Sequence, residues 1–131
     1  MLLDTSGLLC LFHREERQHD DARRLFHAAG SKLTHNYVLT KFVALCQARG
    51  LPRVPSLRFV AGALENPAIE VLWMDEALHR AAVSFLEARP DKAYSLCDAV
   101  SFLVMRERGI SESLTTDRHF EQEGFARTLR A

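Results

Sequence analysis

Short apolar runs alternate with amphipathic segments along the whole chain, and this alternation predicts strands that are followed by helices. Strands are predicted at residues 1–4, 31–34, 68–74, within 111–117 and at 125–129. Helices are predicted at residues 5–13, 18–29, 36–49, 55–66, 75–89 and 95–109, with a helical turn at 118–124. This order favours an α/β fold with a mostly parallel central sheet that is covered by helices on both faces.

Three aspartates occupy positions that such a sheet would bring to one edge. Asp4 directly follows the first predicted strand, and Asp117 directly follows the strand within 111–117. Asp98 lies in the first turn of the apolar helix that begins after Ser95. In parallel sheets, ligands bind beyond the carboxyl ends of the strands. We therefore expect the three aspartates to converge there, although the placement of Asp98 follows less directly because its helix comes after another helix.

Each aspartate also has a purely structural interpretation as a helix cap. Asp4 precedes the helix at 5–13, and Asp117 precedes the helical turn at 118–124. Ser95 and Asp98 match the S-x-x-D form of a capping box. Capping and catalysis are compatible, because a carboxylate at a helix N-terminus can still face a metal ion, so both interpretations stay open from the residues alone.

Clustered carboxylates repel one another unless protons or a cation neutralise them. Hard oxygen ligands favour Mg²⁺ or Mn²⁺ over zinc. Such a metal can activate a water and hold a phosphate for in-line attack, so the substrate class that follows is a phosphodiester. No pair among the six histidines has HxH or HExxH spacing, and a zinc hydrolase is therefore poorly supported.

The composition of the chain is that of one globular domain. It has 131 residues, of which 47% are hydrophobic and 26% charged. No stretch approaches the roughly 20 apolar residues that a membrane span needs, so no membrane association is expected. Cys10, Cys46 and Cys97 are widely spaced and odd in number, which predicts buried free thiols in a reducing, cytoplasmic environment.

The basic residues give a weaker indication of function. The net charge of zero does not indicate nucleic-acid binding, but most of the 17 basic residues are arginine, whose planar side chain suits phosphate. Arg14, Arg17, Arg23 and Arg24 lie near the first two predicted helices and could follow an RNA backbone. A compositional bias and ordinary solvated helix faces are the alternative explanations.

The segments MLLDTSGLL, SLCDAVSFLVMRERGI and LTTDRHFEQEGF, in this order and spacing, resemble the PIN-domain family over essentially the whole chain. The likeness is strongest to the VapC-like ribonuclease toxins of type II toxin–antitoxin pairs. It implies a single domain over residues 1–131, folded as a three-layer α/β/α sandwich, and an endoribonuclease that depends on Mg²⁺ or Mn²⁺. It also implies a small antitoxin protein as partner and a homodimer. The apolar residues at 37–50 and 56–64 are candidates for the dimer interface, and ordinary core packing is the alternative explanation for them.

The resemblance also implies roles for individual residues. Asp4, Asp98 and Asp117 match the catalytic and metal-binding acids of the family, and Thr116 would help to orient water or ligand. The family has a further glutamate in a segment like Y-V-L-x-E after the second strand. The corresponding segment here reads YVLTK, which puts Lys41 in the position of the glutamate.

Lys41 is expected to weaken or abolish metal binding and activity, because it adds a cation beside Asp4 and Asp98 where a cation should bind. Three explanations are open: a natural ribonuclease with a weakened site, a natural relative without catalysis, or an inactivating change in a toxin that harms the cell producing it. The alternative function is a non-catalytic PIN-like binding module that acts through a partner protein or RNA.

Overall fold

The central feature of the fold is a five-stranded sheet, seen in a computed structural model that describes residues 1–130. The strands are β1 Leu2–Leu3, β2 Lys32–His35, β3 Ile69–Leu72, β4 Glu112–Leu114 and β5 Ala126–Arg127. Their order across the sheet is β3-β2-β1-β4-β5, and every pairing is parallel. The sheet is therefore wholly parallel, a stricter arrangement than the mostly parallel sheet that the sequence predicts.

Seven helices cover the two faces of the sheet. They are α1 Thr5–Phe12, α2 His19–Ala28, α3 Asn36–Ala48, α4 Arg53–Glu65, α5 Glu76–Glu87, α6 Leu96–Arg108 and α7 His119–Gln122. Helices α1 to α4 contribute to one apolar cluster, and α5 to α7 contribute to a second one. This confirms the predicted α/β/α sandwich.

The central strand β1, which has only two residues, shows how the sequence divides its apolar residues between the two layers. Leu2 and Leu3 are both fully buried, yet Leu2 belongs to the cluster with α5 to α7 and Leu3 to the cluster with α1 to α4. Successive side chains of a strand point to opposite faces, so a buried parallel strand is apolar at every position. Two residues therefore suffice to anchor both helical layers to the centre of the sheet.

Element boundaries differ from the predicted ones by a few residues. The apolar run at 68–74 predicts a strand to Met74, but β3 ends at Leu72. The side-chain oxygen of Asn36 accepts a hydrogen bond from the Met74 backbone N–H at 2.8 Å, so this N–H is bound by a side chain and not by a neighbouring strand. Helix α4 begins at Arg53, so that Pro55 lies in its first turn, where a missing N–H breaks no intrahelical bond.

Two further expectations can be compared with the structure. Cys10, Cys46 and Cys97 are buried and form no disulfide, as predicted. Within residues 1–130, no helix combines the length and the apolar character that a membrane crossing requires. Helix α6, which has Ser95 as its N-cap and the left-handed Gly109 as its C-cap, contains more buried residues than any other helix in the described part of the chain. It brings Asp98 to the sheet edge.

Candidate metal centre

Asp4 and Asp117 meet because β1 and β4 are parallel neighbours. Leu3 pairs with Leu114, so the two chains leave the sheet side by side. The backbone N–H of Asp4 donates to the Leu114 carbonyl at 3.2 Å and continues the pairing one residue further. The carboxyl edge of the sheet therefore presents both aspartates, as the sequence predicts.

The carboxylate of Asp4 is buried and is held by a hydroxyl group. Its Oδ2 accepts a hydrogen bond from Thr115 Oγ1 at 2.7 Å. Although Asp4 occupies the N-cap position of α1, its side chain makes no capping hydrogen bond, so the cap interpretation is wrong for this residue. Burial raises the pKa of Asp4 to about 6 against the effect of the Thr115 hydrogen bond, and the charges of Asp98 and Asp117 raise it further.

Asp98 is positioned by the capping box predicted from the sequence. Ser95 Oγ accepts the hydrogen bond of the Asp98 backbone N–H at 3.0 Å, and Asp98 Oδ2 accepts that of the Ser95 backbone N–H at 2.9 Å. The side chain of Asp98 is only 5% exposed. The carboxylate is thus fixed at the N-terminus of α6 and still reaches the sheet edge, which shows that capping and site formation coexist here.

Asp117 brings His119 into the site. Asp117 Oδ1 accepts the hydrogen bond of the His119 backbone N–H at 2.9 Å, which is the cap-like contact expected at the helical turn. The imidazole Nδ1 of His119 lies 3.3 Å from Asp98 Oδ2 and 3.5 Å from Asp117 Oδ1. The imidazole therefore lies between the carboxylates of two different elements.

Asp98, Asp117 and His119 form the one group among residues 1–130 in which three potential ligand atoms lie within 4.8 Å of one another. Neighbouring ligand atoms around an octahedral ion with bonds of about 2.1 Å lie about 3 Å apart. The donor set, two carboxylates and one imidazole, therefore fits a divalent cation of the size of Mg²⁺ or Mn²⁺. Asp4 is next to this group but is not one of the three.

Lys41 is exposed and reaches the rim of the site. Its Nζ donates to Ser95 Oγ at 3.4 Å, and Ser95 is the residue that caps the helix of Asp98. In the described part of the chain, no carboxylate oxygen lies within ion-pair distance of Lys41. Lys41 therefore forms no ion pair with Asp4 or Asp98.

The hydroxyl group that donates a hydrogen bond to Asp4 belongs to Thr115. The sequence predicts an orienting role for the next residue, Thr116. Thr116 contributes its backbone instead, because its N–H donates to Ser6 Oγ at 3.0 Å. Ser6 Oγ also lies 3.1 Å from Thr115 Oγ1. Sequence reasoning missed Thr115, Ser6 and His119. The segment TTDRH contains two of them, but its spacing matches no familiar ligand pattern.

The candidate RNA-binding arginines lie away from the aspartates. Arg14 and Arg17 follow the C-terminal end of α1, whereas Asp4 precedes its N-terminus, and the eight residues of α1 span about 12 Å. Arg24 makes an exposed contact with Asp21 at 3.4 Å. Arg118 is exposed and directly follows Asp117, so it is the arginine adjacent in sequence to the site.

Comparison with known families defines the class of protein. The profile of the PIN domain family matches residues 1–125, and the chain belongs to that family. Its fold is similar to the crystal structure of Mycobacterium tuberculosis VapC20, a Sarcin-Ricin loop cleaving toxin, with a TM-score of 0.88 and 26% identity over 99% of this chain and 98% of that one.

Curated sequences give the same result. Two proteins named 23S rRNA-specific endonuclease VapC20, from two strains of Mycobacterium tuberculosis, are each 27% identical to this chain over 130 residues. The alignments cover 95% of this chain and 95% of each relative. The predicted resemblance to the PIN-domain family and to its VapC-like members is therefore confirmed.

Proposed function

We propose that the protein is a VapC-like endoribonuclease toxin that hydrolyses RNA phosphodiesters with the help of a bound Mg²⁺ or Mn²⁺. The observation that carries this proposal is the convergence of Asp98, Asp117 and His119 within 4.8 Å at the carboxyl edge of the sheet, next to buried Asp4. The endonuclease activity named for its relatives supports the same conclusion.

The three aspartates have distinct tasks in this proposal. Asp98 and Asp117 would hold the cation, which would supply an activated water and neutralise charge at the phosphate. Asp4 completes the acidic site, and the Thr115 hydroxyl fixes the orientation of its carboxylate. Because burial raises the pKa of Asp4 to about 6, a proton competes with a cation at this carboxylate up to a higher pH than at an exposed aspartate. The orienting role of Thr116 stays a prediction.

Lys41 weakens this site through its charge. Two unit charges about 4 Å apart interact by about 4 kcal/mol at an effective dielectric constant of 20, and the energy falls as their separation grows. The ammonium of Lys41 contacts the cap of the Asp98 helix, so it repels a cation bound to Asp98 without forming an ion pair itself. We expect the present chain to bind Mg²⁺ poorly and to cleave RNA slowly.

The test is RNA cleavage by the native chain and by Lys41→Glu, side by side, in Mg²⁺ and in Mn²⁺. The pool contains structured and unstructured RNA and includes 23S rRNA, since the relatives act on that molecule. Lys41→Gln separates removal of the positive charge from restoration of the acid. Asp98→Asn in the Lys41→Glu background is the inactive control.

The outcomes distinguish the explanations for Lys41. Cleavage by Lys41→Glu alone means an intact ribonuclease that Lys41 holds inactive. Cleavage by both chains means that the remaining site suffices. If no variant cleaves RNA, the endoribonuclease proposal is rejected. The second candidate function, a non-catalytic binding module, is then favoured. The observation that supports this second candidate is the position of Lys41 at the rim of the site. Sequencing the gene in its source genome tests the third explanation. A lysine codon at position 41 there would show that Lys41 was not introduced during production of the protein.

A groove between α1, α2 and α4 is our candidate for the antitoxin contact. It has a volume of about 560 Å³, and its lining includes the aromatic residues Phe12, Phe26 and Phe59 and the basic residues Arg14 and Arg23. An amphipathic segment with acidic residues beside its apolar face would complement this lining. Arg23→Glu should weaken a complex with the small protein encoded beside the toxin, and unchanged affinity would reject this placement.

The homodimer also stays a proposal, and the structure restricts where it could form. The apolar residues of α3 that suggested an interface are largely in the core, including Val38 and Phe42. Exposed apolar side chains lie on α4, at Val54, Leu57 and Leu64, and also at Trp73 and at Val83 on α5. The three on α4 are our candidate dimer surface. Light scattering of the native chain and of Leu57→Lys tests this surface, since a dimer that uses it should dissociate in the variant.

A further inference from the structure

We propose that His119 supplies a nitrogen ligand to the cation at this site and that the site therefore prefers Mn²⁺ to Mg²⁺. The inference rests on the proposed function for the presence of a cation site. It goes beyond the proposed function in two ways. It gives a metal-binding role to His119, which matches none of the acidic positions of the family, and it ranks Mn²⁺ above Mg²⁺ as the preferred ion.

The geometry of the imidazole is the first argument. Nδ1 of His119 lies 3.3 Å from Asp98 Oδ2 and 3.5 Å from Asp117 Oδ1. These separations are close to the spacing of about 3 Å between neighbouring ligand atoms of a six-coordinate ion with bonds of about 2.1 Å. A cation held by both carboxylates would therefore be near Nδ1 with little rearrangement of the side chains.

The second argument is that the imidazole is held in place before any ligand arrives. His119 is the first residue of α7, and its backbone N–H is bound to Asp117 Oδ1 at 2.9 Å. Its ring packs edge-on against Tyr94, with 5.2 Å between the ring centroids. The side chain is 28% exposed, so it remains accessible to an ion that enters from solvent.

The chemistry of the donor atoms sets the ion preference. Mg²⁺ is usually held through oxygen, whereas imidazole nitrogen suits transition-metal ions and raises affinity for them. In this chain the glutamate oxygen expected from the family is absent because Lys41 occupies that position. A nitrogen ligand from His119 therefore makes a larger contribution here than it would beside a full set of carboxylates. Coordination uses the Nδ1 lone pair, so any proton on that nitrogen leaves to solvent.

Pulsed electron paramagnetic resonance of the full chain loaded with Mn²⁺ tests the proposal directly. A coordinated imidazole gives ¹⁴N hyperfine coupling to Mn²⁺, and this signal is expected in the native chain and in Lys41→Glu. His119→Asn, which keeps a polar side chain without the imidazole, should lose the signal. His27→Asn is the matched control, because His27 is an exposed histidine on α2, remote from the aspartates. Bound Mn²⁺ without ¹⁴N coupling in the native chain would overturn the proposal.

Calorimetric titration of the same proteins with each metal alone tests the selectivity. We expect His119→Asn to weaken Mn²⁺ binding by about tenfold or more, with a clearly smaller change for Mg²⁺. Equal losses for the two ions would reject the preference and indicate that His119 only orients the carboxylates. No Mn²⁺ binding by either the native chain or Lys41→Glu would also reject it.

These measurements separate failure of the inference from failure of the proposed function. Mn²⁺ binding with ¹⁴N coupling but without RNA cleavage rejects the endoribonuclease and keeps His119 as a ligand. RNA cleavage in Mn²⁺ without ¹⁴N coupling rejects His119 and keeps the endoribonuclease.

Discussion

The ammonium of Lys41 lies 3.4 Å from the hydroxyl of Ser95, and the same hydroxyl accepts the hydrogen bond that caps α6 at Asp98. Lys41 therefore contacts the group that positions an aspartate and does not contact the aspartate itself. The contact is long and exposed, so its contribution to the free energy of unfolding is small. We therefore expect Lys41 to influence the site through its charge and not through this hydrogen bond.

We expect the melting temperature of Lys41→Glu to be lower than that of the native chain without metal, because a further negative charge joins the acidic site. Saturating Mn²⁺ should raise the melting temperature of Lys41→Glu more than that of the native chain, since an ion that binds only the folded state stabilises it. Thermal melts with and without Mn²⁺ measure both effects. Lys41→Gln should give an intermediate metal-induced shift, and equal shifts in all three proteins would contradict the electrostatic explanation.

Asp4 should destabilise the metal-free protein at neutral pH. Its pKa is raised by burial to about 6 in the folded state, against an unperturbed value near 4. Between these values the folded state binds more protons than the unfolded state, so stability falls as pH rises through this window. Asp4→Asn should therefore raise the free energy of unfolding at pH 7 by about 1–3 kcal/mol and change it little at pH 4.

Urea denaturation in the presence of a metal chelator measures this effect of Asp4. The control is Asp91→Asn, which removes an exposed carboxylate from the loop before α6. Its stability should follow that of the native chain at both pH values. The opposite result would be a native chain that becomes more stable relative to Asp4→Asn as the pH rises from 4 to 7. It would show that the Asp4 carboxylate is charged in the folded state and is stabilised by another group.

His35 should have the opposite pH dependence. It is fully buried, its Nδ1 accepts from the Val38 backbone N–H at 3.3 Å, and its Nε2 therefore donates to Ser101 Oγ at 2.8 Å. Burial lowers its pKa to about 4, so the unfolded state binds more protons between about pH 4 and 6.5. Stability should be lost as pH falls through this window, by about 3 kcal/mol in total.

Measuring the His35 contribution requires the Asp4→Asn background, because Asp4 titrates in an overlapping range with the opposite sign. In that background, His35→Gln should flatten the acid limb of the stability curve. Ser101→Ala should keep the slope but lower stability by about 1–3 kcal/mol, since it leaves the buried Nε2–H without its acceptor. An unchanged slope in His35→Gln would assign the acid sensitivity to another group.

The positions of the three aspartates were predictable because parallel topology constrains where strands end. Once β1 and β4 are parallel, Asp4 and Asp117 must share an edge. Asp98 was predictable from a local motif, because the S-x-x-D pattern fixes a carboxylate at a helix N-terminus. These inferences depend on backbone geometry, which a short sequence pattern largely determines.

The contacts that sequence reasoning missed depend on side-chain orientation and on long-range packing. Ser95, the partner of Lys41, is 54 residues away in the chain, and no local pattern connects the two. His119 was compared only with histidine-pair motifs, whereas its observed neighbours are Asp98 and Asp117. Just beyond the end of β3, the Met74 N–H is bound by Asn36, 38 residues away, a contact that the apolar run at 68–74 could not predict.

Gly7 is required by the close approach of α1 to β4, directly beside the site. A Cβ at position 7 would lie 1.9 Å from the Leu114 carbonyl oxygen, and backbone atoms cannot yield as a flexible side chain can. Gly7→Ala should therefore lower the free energy of unfolding by about 3 kcal/mol or more. The matched control is Gly62→Ala in α4, where a Cβ meets nothing within 4 Å and helix propensity should raise stability by about 0.5–1 kcal/mol.

The displacement in Gly7→Ala should also reach the acidic site. Asp4 directly precedes α1 and Thr115 directly follows β4, so moving α1 away from Leu114 lengthens the hydrogen bond between Asp4 and Thr115. We expect Gly7→Ala, at temperatures where it remains folded, to bind Mn²⁺ more weakly than Gly62→Ala does. Chemical denaturation and Mn²⁺ titration of the two variants measure these effects. Equal stability and equal Mn²⁺ affinity would mean that α1 can move without disturbing β4, contrary to the packing described above.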